Sequence, residues 1–295
     1  MDGDTALDEA ERTVNRLRQQ TSADLHIEFK ETIRRIAIRT LFGNAVRDRA
    51  EAIGKGLQAA IDHANLPPFL AWDKDPPLSP FRKAIRATRI VDEIVFDEIS
   101  RRRTDPGDVA DLLTAPLEAL DNDDSLTDQE VRDQVVSLIA GGYETTAALA
   151  AWTAYAVLSN PVVEDNLRRE LTIFDARPTT RDTIARCTYF DAVINETLRF
   201  FGPTPFSARY APEAFEFLGH AIPARNTILY SSYVTHRLPE FWNKPLSFEP
   251  QRWIDSEQPP PHVFILFATM YPKGGVAGRT SPRSWPSAWL RGRRW

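Results

Sequence analysis

Cysteine is almost absent from this chain: Cys187 is the only one in 295 residues. A disulfide framework within the chain is therefore excluded, and a reducing compartment fits. Long apolar runs are also missing; none approaches the roughly 20 residues that a bilayer crossing needs. Residues 1–20 carry charges in a helical pattern with no apolar signal region, so a cytoplasmic protein without a transmembrane segment is expected. The formal net charge is -5, which gives nucleic acid no basic surface to bind. With 42% hydrophobic and 26% charged residues, the composition fits a soluble globular protein. The length suits one large helical enzyme domain.

Acidic residues are missing from one stretch altogether. Residues 268–295 contain no Asp or Glu, yet hold Lys273, Arg279, Arg283, Arg291, Arg293 and Arg294 together with Trp285, Trp289 and Trp295. No helical or strand period survives there. A disordered basic tail is one reading, but disordered segments are poor in aromatics. The composition reads better as coding sequence translated in a shifted frame. Two regions are therefore expected: a folded domain over 1–267 and an aberrant Trp/Arg-rich, disordered tail over 268–295.

Within the first region the apolar spacing is mainly helical. Leu25, Phe29, Ile33, Ile36, Ala37 and Leu41 predict a helix over about Ala23 to Phe42, stopped by Gly43. Asn44 is placed to cap a second helix over Ala45 to Ala64. Five prolines make Leu66 to Pro80 a loop, which also carries Phe69, Leu70 and Trp72. Helices follow over Phe81 to Arg102 and Asp108 to Leu120, separated by the turn Asp105-Pro106-Gly107. Thr127 and Glu130 form a capping box that opens a long helix to about Ser159. Shorter helices are predicted over Glu164 to Asp175, Thr180 to Ala185 and Phe190 to Phe200. Beyond Pro203 the pattern turns extended at Ala208 to Tyr210, Glu216 to Leu218 and Thr227 to Tyr230. The fold class is mainly α with a small β portion near the end.

The long helix holds the run Leu138-Ile139-Ala140-Gly141-Gly142-Tyr143-Glu144-Thr145-Thr146. Two glycines in mid-helix cost about 1 kcal/mol each against alanine. Alone they could mark a kink. Followed at once by a carboxylate and a hydroxyl, they point to a section thinned so that something flat can approach the backbone. A second signal is Glu196-Thr197-Leu198-Arg199, where Glu and Arg at i, i+3 share one helix face. Taken alone, that is a surface pair worth about 0 to 1 kcal/mol. It lies about fifty residues after Thr145, with Phe248-Glu249-Pro250-Gln251-Arg252-Trp253 further on.

In this order the three segments resemble the cytochrome P450 family of haem-thiolate monooxygenases. Ala140 to Thr146 is similar to its oxygen-binding motif, Glu196 to Arg199 to its E-x-x-R helix, and Phe248 to Trp253 to its P-E-R-F segment with Gln251 and Trp253 as substitutions. The resemblance runs over roughly Ala23 to Phe267. It implies a partial P450 fold and haem b as cofactor, with Ala140, Gly141 and Gly142 clearing the haem face. It implies Glu144 and Thr145 as a proton-relay pair, since O–O cleavage needs delivered protons. It implies a structural triad of Glu196, Arg199 and Arg252. Phe206 and Ser207 would border the substrate pocket. Arg209 matches a position that pairs with a haem propionate; a strand-surface cation is an equal reading. An apolar small-molecule substrate and a redox partner, ferredoxin or reductase, follow from the same likeness. His236 is expected to be packed and hydrogen-bonded.

Two departures limit the likeness. The family's early strands and helices, one of which contacts the haem, have no counterpart here. Phe264-Ile265-Leu266-Phe267 resembles the approach to the loop that carries the iron-ligating cysteine, but no cysteine follows. Met270-Tyr271 contains a cysteine codon when its coding sequence is shifted by one base, as any Met-Tyr pair does. Cys187 lies before the Glu196 helix and reads as a small buried hydrophobe. No metal ligand is assigned, and the chain is expected to be inactive as it stands, with a haem-free ligand- or partner-binding remnant as the alternative.

Overall fold

The computed structural model describes residues 3–43, 46–64, 66, 79–105, 113, 126–176, 179–202, 205–255, 263–265 and 277–279. The expected cap Asn44, the loop over 67–78, the helix over 108–120 apart from Leu113, and most of the basic tail lie outside the described residues.

The described chain is mainly helical, with three two-stranded antiparallel sheets. It opens with α1 (Gly3–Leu17), β1 (Ser22–Asp24), α2 (Leu25–Phe42), α3 (Ala50–Ala64) and α4 (Pro80–Thr104). The long helix α5 is Asp128–Leu158, followed by α6 (Pro161–Leu171), α7 (Ile173–Ala176), α8 (Arg181–Ile184) and α9 (Thr188–Phe201). The strands β2 (Ser207–Ala211), β3 (Phe215–Phe217), β4 (His220–Ile222) and β5 (Asn226–Tyr230) come next, then the single turns α10 (Ser232–Thr235) and α11 (Arg252–Asp255), and β6 (Ala277–Arg279).

Several boundaries differ from the sequence reading for local reasons. Residues 22–24 are extended rather than helical, because the Asp24 carboxylate accepts the His26 backbone N–H at 2.9 Å and so starts α2 at Leu25. A 3₁₀ turn over Arg47–Arg49 precedes α3, which begins at Ala50. The helix expected from Phe81 starts at Pro80, with Ser79 Oγ accepting from Arg82 N. The capping box of α5 is reciprocal. Glu130 Oε2 accepts the Thr127 N–H at 2.7 Å and Thr127 Oγ1 accepts the Glu130 N–H at 3.3 Å.

The chain divides into two compact units, with one boundary inside α5 between Glu144 and Thr145. In the first unit, Ile38, Phe42, Ile53, Val91, Val95, Val131, Val135, Ile139 and Tyr143 form one apolar core. The α5 members recur every four residues, the period of one buried helix face. Gly56 lets α3 and α4 close: a Cβ there would collide with Val91 and lie 2.7 Å from the Ala87 carbonyl oxygen. In the second unit Trp152 of α5 stacks on Phe201 of α9, centroids 4.5 Å apart. Cys187 at the start of α9 offers no side-chain cap, and the Glu170 carboxylate does so instead, accepting from Tyr189 N at 2.7 Å and Phe190 N at 2.8 Å. Strand β2 pairs with β5 in the register Arg209↔Ile228, β3 with β4, and β1 with β6.

Candidate functional site

The glycine stretch sits in the middle of α5. Ile139 and Tyr143 are fully buried, whereas Leu138, Gly141 and Gly142 are on the exposed side. Among the described residues, a Cβ built on either glycine would meet no atom within 4 Å. The space there suits a flat or bulky group. Ala140 and Thr145 are half-buried at the margins of this open face. Glu144 turns inward: it is 5% exposed, and its Oε1 lies 2.5 Å from Lys30 Nζ of α2. Tyr143 beside it donates its hydroxyl to Gln58 Oε1 at 3.3 Å, and burial pushes that phenol well above its usual range, followed by the charge of Glu144.

The second site element is a buried charge network around α9. Glu196 and Arg199 are both fully buried. Arg199 donates Nε to Glu196 Oε2 at 2.9 Å and Nη2 to Oε1 at 2.8 Å, the forked geometry that suits guanidinium and carboxylate. Its remaining donors reach the carbonyls of His236 (2.8 Å), Pro245 (2.9 Å) and Ser247 (3.0 Å). Arg252 joins from α11, Nε to Glu196 Oε1 at 3.2 Å. Glu196, Arg199 and Arg252 thus come together, with the Glu249 N–H also on Glu196 at 2.9 Å.

Two members of this network were not picked out as such in the sequence. The Trp253 indole N–H donates to Glu196 Oε2 at 2.9 Å, a bond that the phenylalanine it replaces in the family motif cannot make. His236 is fully buried, with Nδ1 3.1 Å from the Arg199 carbonyl oxygen, while Nε2 accepts the Ile265 N–H at 2.9 Å. Accepting at Nε2 fixes the proton on Nδ1, so the ring is a neutral bridge between the end of α9 and Ile265. Burial pushes its pKa down to about 4, helped by the charges of Arg199 and Arg237. No spacing rule marks either contact, because each joins segments tens of residues apart.

The other predicted positions stand apart from this network. Arg209 is exposed on β2, its guanidinium 5.8 Å from the Tyr230 ring centroid and donating to its neighbour's carbonyl. Phe206 is 62% exposed and Ser207 half-buried. Cys187 is buried at the start of α9, its Sγ 3.6 Å from the Thr183 carbonyl oxygen, and burial raises the thiol's pKa, aided by Glu170.

The donor chemistry decides whether these residues fit a haem-thiolate group. The open glycine face suits a flat macrocycle. Cys187 is the one cysteine in these 295 residues, and it is an interior thiol before the Glu196 helix, so it does not fit an axial thiolate.

The cytochrome P450 family profile matches residues 4–269. The protein named cytochrome P450 139 in Mycobacterium tuberculosis is 34% identical over 252 residues, covering 83% of this chain and 59% of that protein. Cyclooctat-9-en-7-ol 5-monooxygenase of Streptomyces melanosporofaciens is 31% identical over 227 residues, 75% of this chain and 49% of the relative. The chain thus spans about half to three-fifths of the length of these curated relatives. Among solved structures, the haem domain of cytochrome P450DA superposes with a TM-score of 0.75 at 23% identity, covering 90% of this chain and 61% of that one. A cyanobacterial P450 with bound retinoic acid gives the same TM-score at 19% identity, with 90% and 60% covered. Those two likenesses speak for the fold, and the profile match over most of the chain speaks for descent. With its glycine-thinned helix and its buried Glu196–Arg199 pair, this chain belongs to the cytochrome P450 family.

Proposed function

We propose that the chain descends from a haem-dependent monooxygenase acting on an apolar substrate, with electrons from a ferredoxin or reductase, and that as it stands it does not carry out that reaction. Glu144 and Thr145 would be the acid and hydroxyl of the ancestral proton relay, and Ala140, Gly141 and Gly142 the cleared face. Arg209 would pair with a propionate. The observation that carries the reading of inactivity is the missing ligand: no cysteine lies beyond the Arg252 segment, and the one thiol present is held in the interior. Haem has no thiolate to bind to here, and without that ligand there is no electron push on bound oxygen.

A second reading is favoured by exposed apolar side chains in the sheet region. Phe206, Tyr210 and Leu229 are 62%, 62% and 71% exposed, a pattern that suits a haem-free protein covering itself with an apolar ligand or partner.

The reaction itself is the test. The chain is expressed with added haem precursor, purified, and given peroxide with an apolar aromatic probe. No hydroxylated product above a free-haem control is expected. Product that scales with the amount of chain would refute the proposal, because peroxide bypasses the redox partner and leaves only the iron site to be tested.

A further inference from the structure

We propose that Lys30 is the positioning residue of Glu144, holding its carboxylate ionised and turned into the first unit. This deepens the reading of Glu144 as the acid of the glycine stretch, although the pairing itself rests on geometry alone.

Glu144 is a buried carboxylate that would be costly without help. Its residue is 5% exposed, and among the described residues neither oxygen accepts a hydrogen bond. An ionised carboxylate in that state neutralises itself or finds a cation. Lys30 Nζ is that cation, 2.5 Å from Oε1, on a side chain only 20% exposed. The contact is an ion pair by distance rather than an aligned hydrogen bond, so it is charge that Lys30 supplies. The nearby charges do not replace it. Arg34, one turn along α2, is engaged by Glu31 at 2.5 Å. Glu31 and Asp62 bring further negative charge to the same neighbourhood, where both act on Tyr143. The Tyr143 hydroxyl is committed to Gln58.

The direction of the carboxylate follows from the same contact. Gly141 and Gly142 face open space, whereas Glu144 is drawn inward to α2. An ionised Glu144 carries no proton to give, so to serve the glycine side it would have to leave Lys30 and take one up from water. The lysine therefore holds both the charge and the direction of the carboxylate. No local sequence pattern announces this, since the partners are 114 positions apart in the numbering.

The test uses the full chain and needs no haem or activity, so its failure is separate from that of the monooxygenase reading. Infrared spectra near neutral pH are compared for the unaltered chain, Lys30→Met, Lys30→Arg and Lys30→Met/Glu144→Gln. The carbonyl stretch of a protonated, buried carboxyl is expected in Lys30→Met alone. It should be absent from the unaltered chain, from Lys30→Arg and from the double variant. A merely structural lysine would not move that band, and its absence in folded Lys30→Met overturns the proposal. If Lys30→Met does not fold, Glu144→Gln decides. Amine-directed acylation of Lys30 is expected to speed up severalfold when its counter-ion is gone, and an unchanged rate overturns the proposal.

Discussion

Replacing Arg199 by methionine is expected to remove about 3–5 kcal/mol of stability, a large share of the roughly 5–15 kcal/mol of an ordinary folded domain. The loss comes from what is stranded more than from the pair itself. Glu196 is fully buried and would lose its forked partner. The carbonyls of His236, Pro245 and Ser247 would lose a shared donor. The neighbouring rings would lose a cation, since the guanidinium carbon lies 5.5 Å from the Phe200 centroid and 5.3 Å from that of Trp242. Arg199→Lys should recover little, because an ammonium cannot reproduce the fork to Glu196 and reach three carbonyls as well. Denaturant midpoints measure this. Variants that unfold with the unaltered chain's midpoint would show that the network is not the fastening of the second unit.

Acid should weaken the same unit through His236. Unfolded, the imidazole takes a proton below its ordinary pKa of 6.5; folded, it resists until about 4. The unfolded chain thus binds more protons across that window, so stability falls as pH drops from 6.5 toward 4 and this group adds no further loss below that. A difference of this size corresponds to about 3 kcal/mol. The structural event is specific: protonated Nε2 can no longer accept the Ile265 N–H, which releases the bridge to the segment after Val263. Other carboxylates titrate in the same range, so the measurement is a comparison of unfolding free energy against pH with His236→Gln. The variant should be less stable at neutral pH, and the gap should close as pH falls. Two parallel curves would remove His236 from the account.

The parts of this fold that could be read in the sequence are those fixed by contacts a few residues apart. The capping box at Thr127 and Glu130, the buried stripe Val131, Val135, Ile139 and Tyr143, and the i, i+3 pair Glu196 and Arg199 all repeat at helical spacing. The β3–β4 hairpin was harder, because its turn puts Leu218 at φ 51° beside Gly219 at φ 78°. A primed turn needs both, and leucine gives no turn signal. Asp24 is a cap that could have been recognised before Leu25, yet the apolar period drew the helix start two residues too early, to Ala23. The Lys30–Glu144 pair, the His236 bridge and the Trp253 bond to Glu196 are tertiary: they depend on which distant segments the core brings together, and side-chain type alone does not announce them. Motif order made the family legible, while the inward turn of Glu144 needed coordinates.

The central claim is that a P450-type core persists here without the thiolate that would bind iron. The most direct measurement is the spectrum of the chain produced with ample haem, reduced and saturated with carbon monoxide. The account predicts no thiolate-type Soret band, whether or not haem co-purifies. A stable band of that type, lost on Cys187→Ala, would contradict it by showing that the interior thiol reaches the metal after all.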